Sequence, residues 1–291
     1  MADYSQQLQR VLHFIDAHLQ EPLSVEQLSA VAHLSRYHFH RLFSAHCGHT
    51  LFDTITALRM KRASYQLAFR RRQRIVDIAL DNGYDSAEAF SRAFVRRFGQ
   101  TPSAFRRAPD WGAWHRELQT LNDLRRKIMP SEITTDAVEI IEFPGIELAV
   151  LEHCGDPATL GASIQRFIEW RRDNGVLPDR SRTFNIAYND PGTTPAAKFR
   201  FDLGVEIRGP LAPNAQGLVA KSIPPGRCAR LRHVGGDDTF GASVEYLYRH
   251  WLSGSSEELR DFPLFFERVR FYPEVPESER ITDIYLPLRS R

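Results

Sequence analysis

The chain has 291 residues, 42% of them apolar and 25% charged, the proportions of a folded globular protein with room for two domains. No stretch reaches the roughly 20 uncharged apolar residues of a membrane span. The polar, helically patterned N-terminus is no secretory signal, and three scattered cysteines (Cys47, Cys154 and Cys228) exclude a disulfide framework and fit the cytoplasm.

The net charge of +2 hides a division: residues 1–130 carry 19 Lys/Arg against 12 Asp/Glu, and residues 131–291 carry 19 against 24. A basic front half suited to nucleic acid therefore precedes an acidic half with another task. Leu8, Val11, Leu12, Ile15 and Leu19 predict an amphipathic helix over 5–20, ended by Pro22. Ser24 with Gln27 three residues on is a capping box opening a short second helix. Ser35 caps a third helix, with Phe39, Leu42 and Phe43 inward and Gly48 as its stop. Residues 51–70 predict a longer helix with Leu51, Phe52, Ile55, Leu58, Ala63, Leu67 and Phe69 as apolar positions. The short-helix, turn, capped-helix pattern then recurs. Ile75, Ile78, Ala79 and Leu80 precede the stop at Asn82-Gly83; Ser86 caps a helix carrying Phe90, Phe94 and Phe98; and Thr101-Pro102 starts a last short helix. Two short helices around a tight turn form a helix-turn-helix, so the front half predicts two such units bridged by one long helix.

The segments SVEQLSAVAHLSRYHFHRLFSAHCG, RMKRASYQL and IVDIALDNGYDSAEAFSRAFVRRFGQTPSAFRR resemble the DNA-binding domain of the AraC/XylS family of transcription regulators. The resemblance implies that the second helix of each unit enters the major groove of operator DNA, in two successive turns. The faces left outward by the buried positions are Arg36, Tyr37, His40 and Arg41 in the first unit and Ala87, Glu88, Ser91 and Arg92 in the second. Arg reads guanine in bidentate fashion and Glu accepts from cytosine. Arg96, with Arg97, Arg106 and Arg107, is expected on phosphates. Glu88 either reads a base or is held away by a neighbouring arginine. The cluster of His38, His40, His46, Cys47 and His49 fits no zinc-ligand spacing, and no metal or cofactor is expected. Trp111, Trp114, Leu118, Leu121 and Leu124 predict a further amphipathic helix within a linker over 109–133.

From residue 134 the pattern turns to strands and isolated helices. Val138, Ile140, Leu148 and Val150 alternate around Pro144-Gly145 as paired strands do. A shift of 80 residues aligns 144–163 with 224–243, and nine of the twenty positions are identical, among them His153/His233, Gly155/Gly235 and Ser163/Ser243. Each copy reads strand, strand, helix, strand, strand. Two copies can join their sheets with both helices on one face and a ligand groove between them.

This half is similar to the GyrI-like small-molecule-binding domain, through its duplicated G-x5-G-A-S helices, AYNDPGT, PPGRCARLRHVGG and FFERVRFYPEVPESERITDIYLPL. The domain order resembles the Rob-type regulators. The resemblance implies a pocket carboxylate at Glu267. A buried carboxylate calls for a positive partner, which an aromatic, cationic ligand would supply; Trp170, Phe184, Tyr188, Tyr246, Trp251 and Phe265 are the expected walls, and Arg268 or Arg270 the internal rival for the charge.

The expected architecture is an all-α double helix-turn-helix domain (1–108), a linker helix (109–133) and an α+β domain of duplicated ββαββ (134–291). The expected function is a ligand-responsive transcription regulator, an activator working through RNA polymerase, and not an enzyme. Hydrolysis using Glu267 and Tyr188, or a protein-docking role for the second half, are the alternatives.

Overall fold

The computed structural model describes residues 4–128, 137–271 and 275–290. The end of the expected linker, the start of the strand-rich half at 134–136 and Tyr272–Glu274 of the closing motif lie outside the described residues. The chain divides into two compact units, Met1–Pro130 and Ser131–Arg291.

The first unit is helical: α1 (Ser5–Ala17), α2 (Val25–Val31), α3 (Arg36–Cys47), α4 (Leu51–Phe69), α5 (Ile75–Asp81), α6 (Ala87–Phe98), α7 (Pro102–Arg107) and α8 (Trp111–Ile128). The side chains of Ser24, Ser35, Thr50, Ser86 and Thr101 each accept the backbone N–H three residues on, satisfying donors that a helix start leaves open. Helices α3 and α6 both end on a left-handed glycine, Gly48 (φ 70°) and Gly99 (φ 69°). The two are the same length, 12 residues, and bury Phe39 and Phe43 in one and Phe90, Phe94 and Phe98 in the other.

Helix α4 is buried along most of its length because both helix-turn-helix units lean on it. Asn82, fully buried, donates from Nδ2 to Gln66 Oε1 (2.5 Å) and to the Ile78 carbonyl (2.7 Å), so the turn after α5 is tied to α4. Phe52 departs from the expected apolar positions: it is 76% exposed. Leu51, Ile55 and Leu58 already form the inward stripe there, and Phe52 lies one helical step of about 100° off it. Helix α8 packs into this core through Trp111, Trp114, Leu118, Leu121 and Leu124. Trp114 Nε1 donates to Ser64 Oγ at 2.6 Å, and Arg125 Nη1 donates to both carboxylate oxygens of Asp16 at 3.0 and 2.8 Å.

The second unit contains β1 (Val138–Phe143), β2 (Ile146–Cys154), α9 (Leu160–Asp173), β3 (Thr183–Ala187), β4 (Arg200–Glu206), β5 (Val219–Ile223), β6 (Gly226–Val234), α10 (Asp237–Tyr246), β7 (Leu264–Arg270) and β8 (Ile281–Pro287). Helix α10 widens into one π-helical turn at Leu247–Trp251. The strands form one antiparallel sheet in the order β1-β6-β8-β7-β3-β4-β2-β5. The expected pairing of β1 with β2 is overturned: β1 pairs with β6, and β2 pairs with β4 and β5. The two repeats thus exchange their first strands.

That exchange forces the sheet to curl. β1 and β2 stand first and seventh in the sheet, about 29 Å apart if it were flat. Only Pro144-Gly145 joins them, a span of at most roughly 10 Å. Pro224-Pro225 joins β5 to β6 under the same constraint. The two connectors cross: a Cβ on Gly145 (φ 79°) would lie 2.9 Å from the Pro225 ring.

Both helices cover one face of the sheet, α9 over Ala149, Leu151, Leu203 and Val205, and α10 over Leu231, Phe266, Ile284 and Leu286. Between them lie the half-buried rings of Phe201, which packs against both clusters, and Phe240, which packs against Phe266 (ring centroids 4.7 Å). The duplicated His and Ser residues brace each helix start. His153 Nδ1 meets Ser163 Oγ, and His233 Nδ1 meets Ser243 Oγ, both at 2.9 Å.

Candidate functional site

In the first unit the outward faces of α3 and α6 carry the candidate DNA contacts. With Phe39 and Phe43 buried, Arg36, Tyr37, His40 and Arg41 are all exposed. With Phe90 and Phe94 buried, Glu88, Arg92 and Arg96 are exposed, and Ala87 and Ser91 are half-buried. The same 51-residue offset that superposes Ser35 on Ser86 and Gly48 on Gly99 places Arg41 on Arg92. Arg36 is partly engaged: its Nη2 donates to Tyr37 Oη (2.8 Å), and its guanidinium lies 4.8 Å from the Tyr37 ring centre.

Glu88 sits in the first turn of α6. Its carboxyl is held below the usual range by hydrogen bonds from its own backbone N–H and from Ser86, with Arg92 adding to the effect. Of the arginines expected on phosphates, Arg97 pairs with Glu117 at 3.2 Å, and burial lowers the pKa of the half-buried Arg106. Cys47 is buried and its thiol is pushed up to about 12. Among the described residues no group of three His, Cys, Asp or Glu side chains stands close enough to hold a metal ion.

In the second unit the structure separates the expected pocket residues. Trp170 packs on the helix-covered face with α9 and lines a shallow cleft of about 420 Å³ together with Arg180, Glu206, Arg208 and Leu211. Tyr246 and Trp251 pack on that face with α10. Phe184, Tyr188, Phe265 and Glu267 point to the opposite, concave face, because alternate residues of a strand face opposite ways. The centre of the concave face is filled by rings. Phe143, Phe184, Phe265 and Tyr285 are 0–3% exposed, with Phe143–Phe265 centroids 4.9 Å apart and Phe265–Tyr285 stacked at 5.0 Å.

Glu267 stands at the margin of these rings with 14% of its side chain exposed. Its partner is neither Arg268 nor Arg270, which pair with Asp237 and Glu279. It is Arg182, whose Nε and Nη2 donate to the two Glu267 oxygens at 2.8 and 2.7 Å. That bidentate bond raises the pKa of Arg182. Tyr285 Oη lies 3.4 Å from Glu267 Oε2, and burial, reinforced by the Glu267 charge, raises its pKa and keeps it a donor.

A second network lies on the same face. Tyr188 Oη donates to Asp202 Oδ2 (2.9 Å), and Lys221 Nζ bridges Asp202 and Glu152 at 2.6 Å each. Burial works against the Lys221 ammonium, but its two carboxylate bonds outweigh that and raise its pKa. Glu267 and Tyr188 belong to different hydrogen-bond networks. Sequence reasoning missed Arg182, Asp202, Lys221 and Tyr285. Their roles depend on strand pairings as distant as Arg182 to Glu267, 85 residues apart, and no local pattern signals them.

Two helix-turn-helix units on a shared helix, followed by a duplicated, curled sheet, define a DNA-binding regulator with an attached effector domain. The comparisons agree. Residues 28–108 match a helix-turn-helix domain family, and residues 136–289 match the GyrI-like small-molecule-binding domain. The chain belongs to the AraC-type regulators that carry a GyrI-like domain; it is a ligand-responsive, DNA-binding transcription regulator.

It is 38% identical over 159 residues to YgiV of Escherichia coli (strain K12), named a probable transcriptional regulator, covering 54% of this chain and 99% of YgiV. It is 38% identical over 104 residues to the right origin-binding protein of the same organism, covering 36% of each chain. It is also 35% identical over 99 residues to the regulatory protein SoxS of that organism, covering 34% of this chain and 92% of SoxS. No described helix is long and apolar enough to cross a membrane.

Proposed function

We propose that α3 and α6 dock in two successive major-groove turns of operator DNA, and that an aromatic effector on the concave face of the sheet alters how they do so. The DNA contacts are Arg36, Tyr37, His40 and Arg41 from α3, and Ala87, Glu88, Ser91, Arg92 and Arg96 from α6. The effector meets Phe184, Tyr188, Phe265 and Glu267. Because rings fill the centre of the curl, the effector enters by displacing one, and Phe143 is the ring next to the crossed connectors. Ligand entry there bears on the Pro144-Gly145 turn and so on both repeats at once. A ligand regulates only by binding one state better than another, and ring displacement is such a difference. The cytoplasm is the compartment, and activation through RNA polymerase is the output that the family resemblance favours.

The observation that carries the reading is the duplicated helix: two capped 12-residue helices, each with an exposed arginine at the same position, Arg41 and Arg92. Selection of binding sites from random duplex DNA tests it. The expected outcome is two short sequence blocks centred about one helical turn, roughly 10 base pairs, apart. Arg41→Ala is expected to relax one block and Arg92→Ala the other. A single block, or blocks insensitive to both substitutions, overturns the two-helix docking.

A further inference from the structure

A carboxylate set among aromatic rings attracts a lipophilic cation by charge and by the ring faces. In this protein Arg182 already takes both attractions. Its guanidinium is bidentate on Glu267 at 2.8 and 2.7 Å, and its Cζ lies 4.8 Å from the centre of the Phe184 ring. Phe184 and Glu267 are register partners on β3 and β7 and so lie side by side on the concave face. Arg182 reaches them from the residue just before β3.

Three neighbouring carboxylates of the face are paired as well. Asp202 and Glu152 share Lys221, and Asp283 is paired with Arg232 at 2.7 and 2.8 Å. Even the Tyr188 ring is covered by a cation, the Arg200 guanidinium 4.6 Å from its centre. An incoming cation finds Glu267 already taken and must break a planar two-bond pair to reach it. An uncharged aromatic molecule needs only room among the rings.

We propose that Arg182 is a resident counter-ion that makes the concave site selective for uncharged aromatic effectors and closes it to lipophilic cations. This rests on the concave-face reading above and assigns Arg182 as the specificity-determining residue.

The test compares two probes with the same three phenyl groups, the cation methyltriphenylphosphonium and neutral triphenylphosphine oxide, titrated calorimetrically into the full chain. Wild type is expected to bind the neutral probe at least tenfold more tightly than the cation. Arg182→Gln, which keeps most of the side-chain length without the charge, is expected to gain at least tenfold in cation affinity and to hold the neutral probe within about threefold. Arg182→Ala repeats the measurement should the glutamine refill the contact. Adding Glu267→Gln to Arg182→Gln is expected to abolish the gain. Equal cation affinity in wild type and Arg182→Gln, with loss in Glu267→Gln alone, overturns the counter-ion role and leaves the concave site standing. Binding indifferent to all of these substitutions, or no binding of either probe to any variant, overturns the concave site and the counter-ion role with it.

Discussion

At the scale of single residues, exposure separates reading groups from folding groups. Arg41 and Arg92 are exposed on helices whose packing rests on other side chains. Arg41→Ala and Arg92→Ala are therefore each expected to cost about 1–3 kcal/mol on specific DNA with little change in stability; a fluorescence-anisotropy titration beside a thermal melt checks both halves. His233 is the opposite case, a side chain that serves the fold. A carbonyl only accepts, so Nε2, 3.2 Å from the Gly236 oxygen, carries the proton, and Nδ1 accepts from Ser243. Burial pushes the His233 pKa below the usual value of 6.5, with the Gly236 carbonyl and Asp237 pulling partly back. The unfolded chain then takes up a proton near pH 6.5 that the folded chain refuses until lower pH. Stability is expected to fall as pH drops below about 6.5 and to level off below the folded pKa, with a slope of at most about 1.4 kcal/mol per pH unit from this group. Urea midpoints between pH 7.5 and 5 are expected to show a shallower fall in His233→Gln, and an unchanged slope there would remove His233 as the cause. The repeat alignment marks His233 and Ser243 each as a repeated residue, but their hydrogen bond only follows once the strand lies against the helix. The partner of Glu267 was beyond reach for a related reason: Arg268 and Arg270 are near it in sequence, yet Arg268 points to the other face of the strand, and the strand pairing brings Arg182 instead.

At the scale of elements, helices were legible because their signals are local. Apolar spacing, the Ser and Thr caps and the two left-handed glycines all lie within a few residues of the structure they specify. Strand existence was legible for the same reason, but strand pairing was not. Alternation marks β1 and β2 as strands without naming neighbours, and Pro144-Gly145 reads as a hairpin turn although it joins strands exchanged between repeats. The placement of α8 was equally silent in the sequence, where its apolar face fitted a linker. In the structure Arg125 and Asp16, with 1% and 2% of their side chains exposed, fasten α8 to α1. Removing one member of such a buried pair strands the other charge, so Asp16→Ala is expected to cost about 3–5 kcal/mol. Chemical denaturation followed by tryptophan fluorescence reads this directly, since Trp111 and Trp114 lie in the same core. A cost below about 1 kcal/mol would mean that α8 is held by its apolar face alone.

At the scale of the whole molecule, the charge division sets how DNA binding responds to salt. The 19 basic residues of 1–130 outnumber their acidic neighbours, whereas those of 131–291 do not. Many of the latter are already committed to carboxylates of the same unit, as Arg182, Lys221, Arg227 and Arg232 are. Phosphate neutralisation is therefore expected to fall to the first unit. Each phosphate contacted releases condensed counterions, so the logarithm of the affinity is expected to decline linearly with the logarithm of salt concentration. With six or more such contacts the loss between 50 and 200 mM is about a thousandfold or greater. In the proposed docking, Arg96 and Arg92 divide the two kinds of contact. Arg96→Ala is expected to reduce the slope by about one and weaken all sequences alike, whereas Arg92→Ala is expected to act mainly on preference at one position. Charge-reversing Arg232, already bound to Asp283, is expected to leave the slope unchanged. Anisotropy titrations at four or five salt concentrations separate these cases, and a flat profile for the wild type would show that the basic half does not grip DNA through its phosphates.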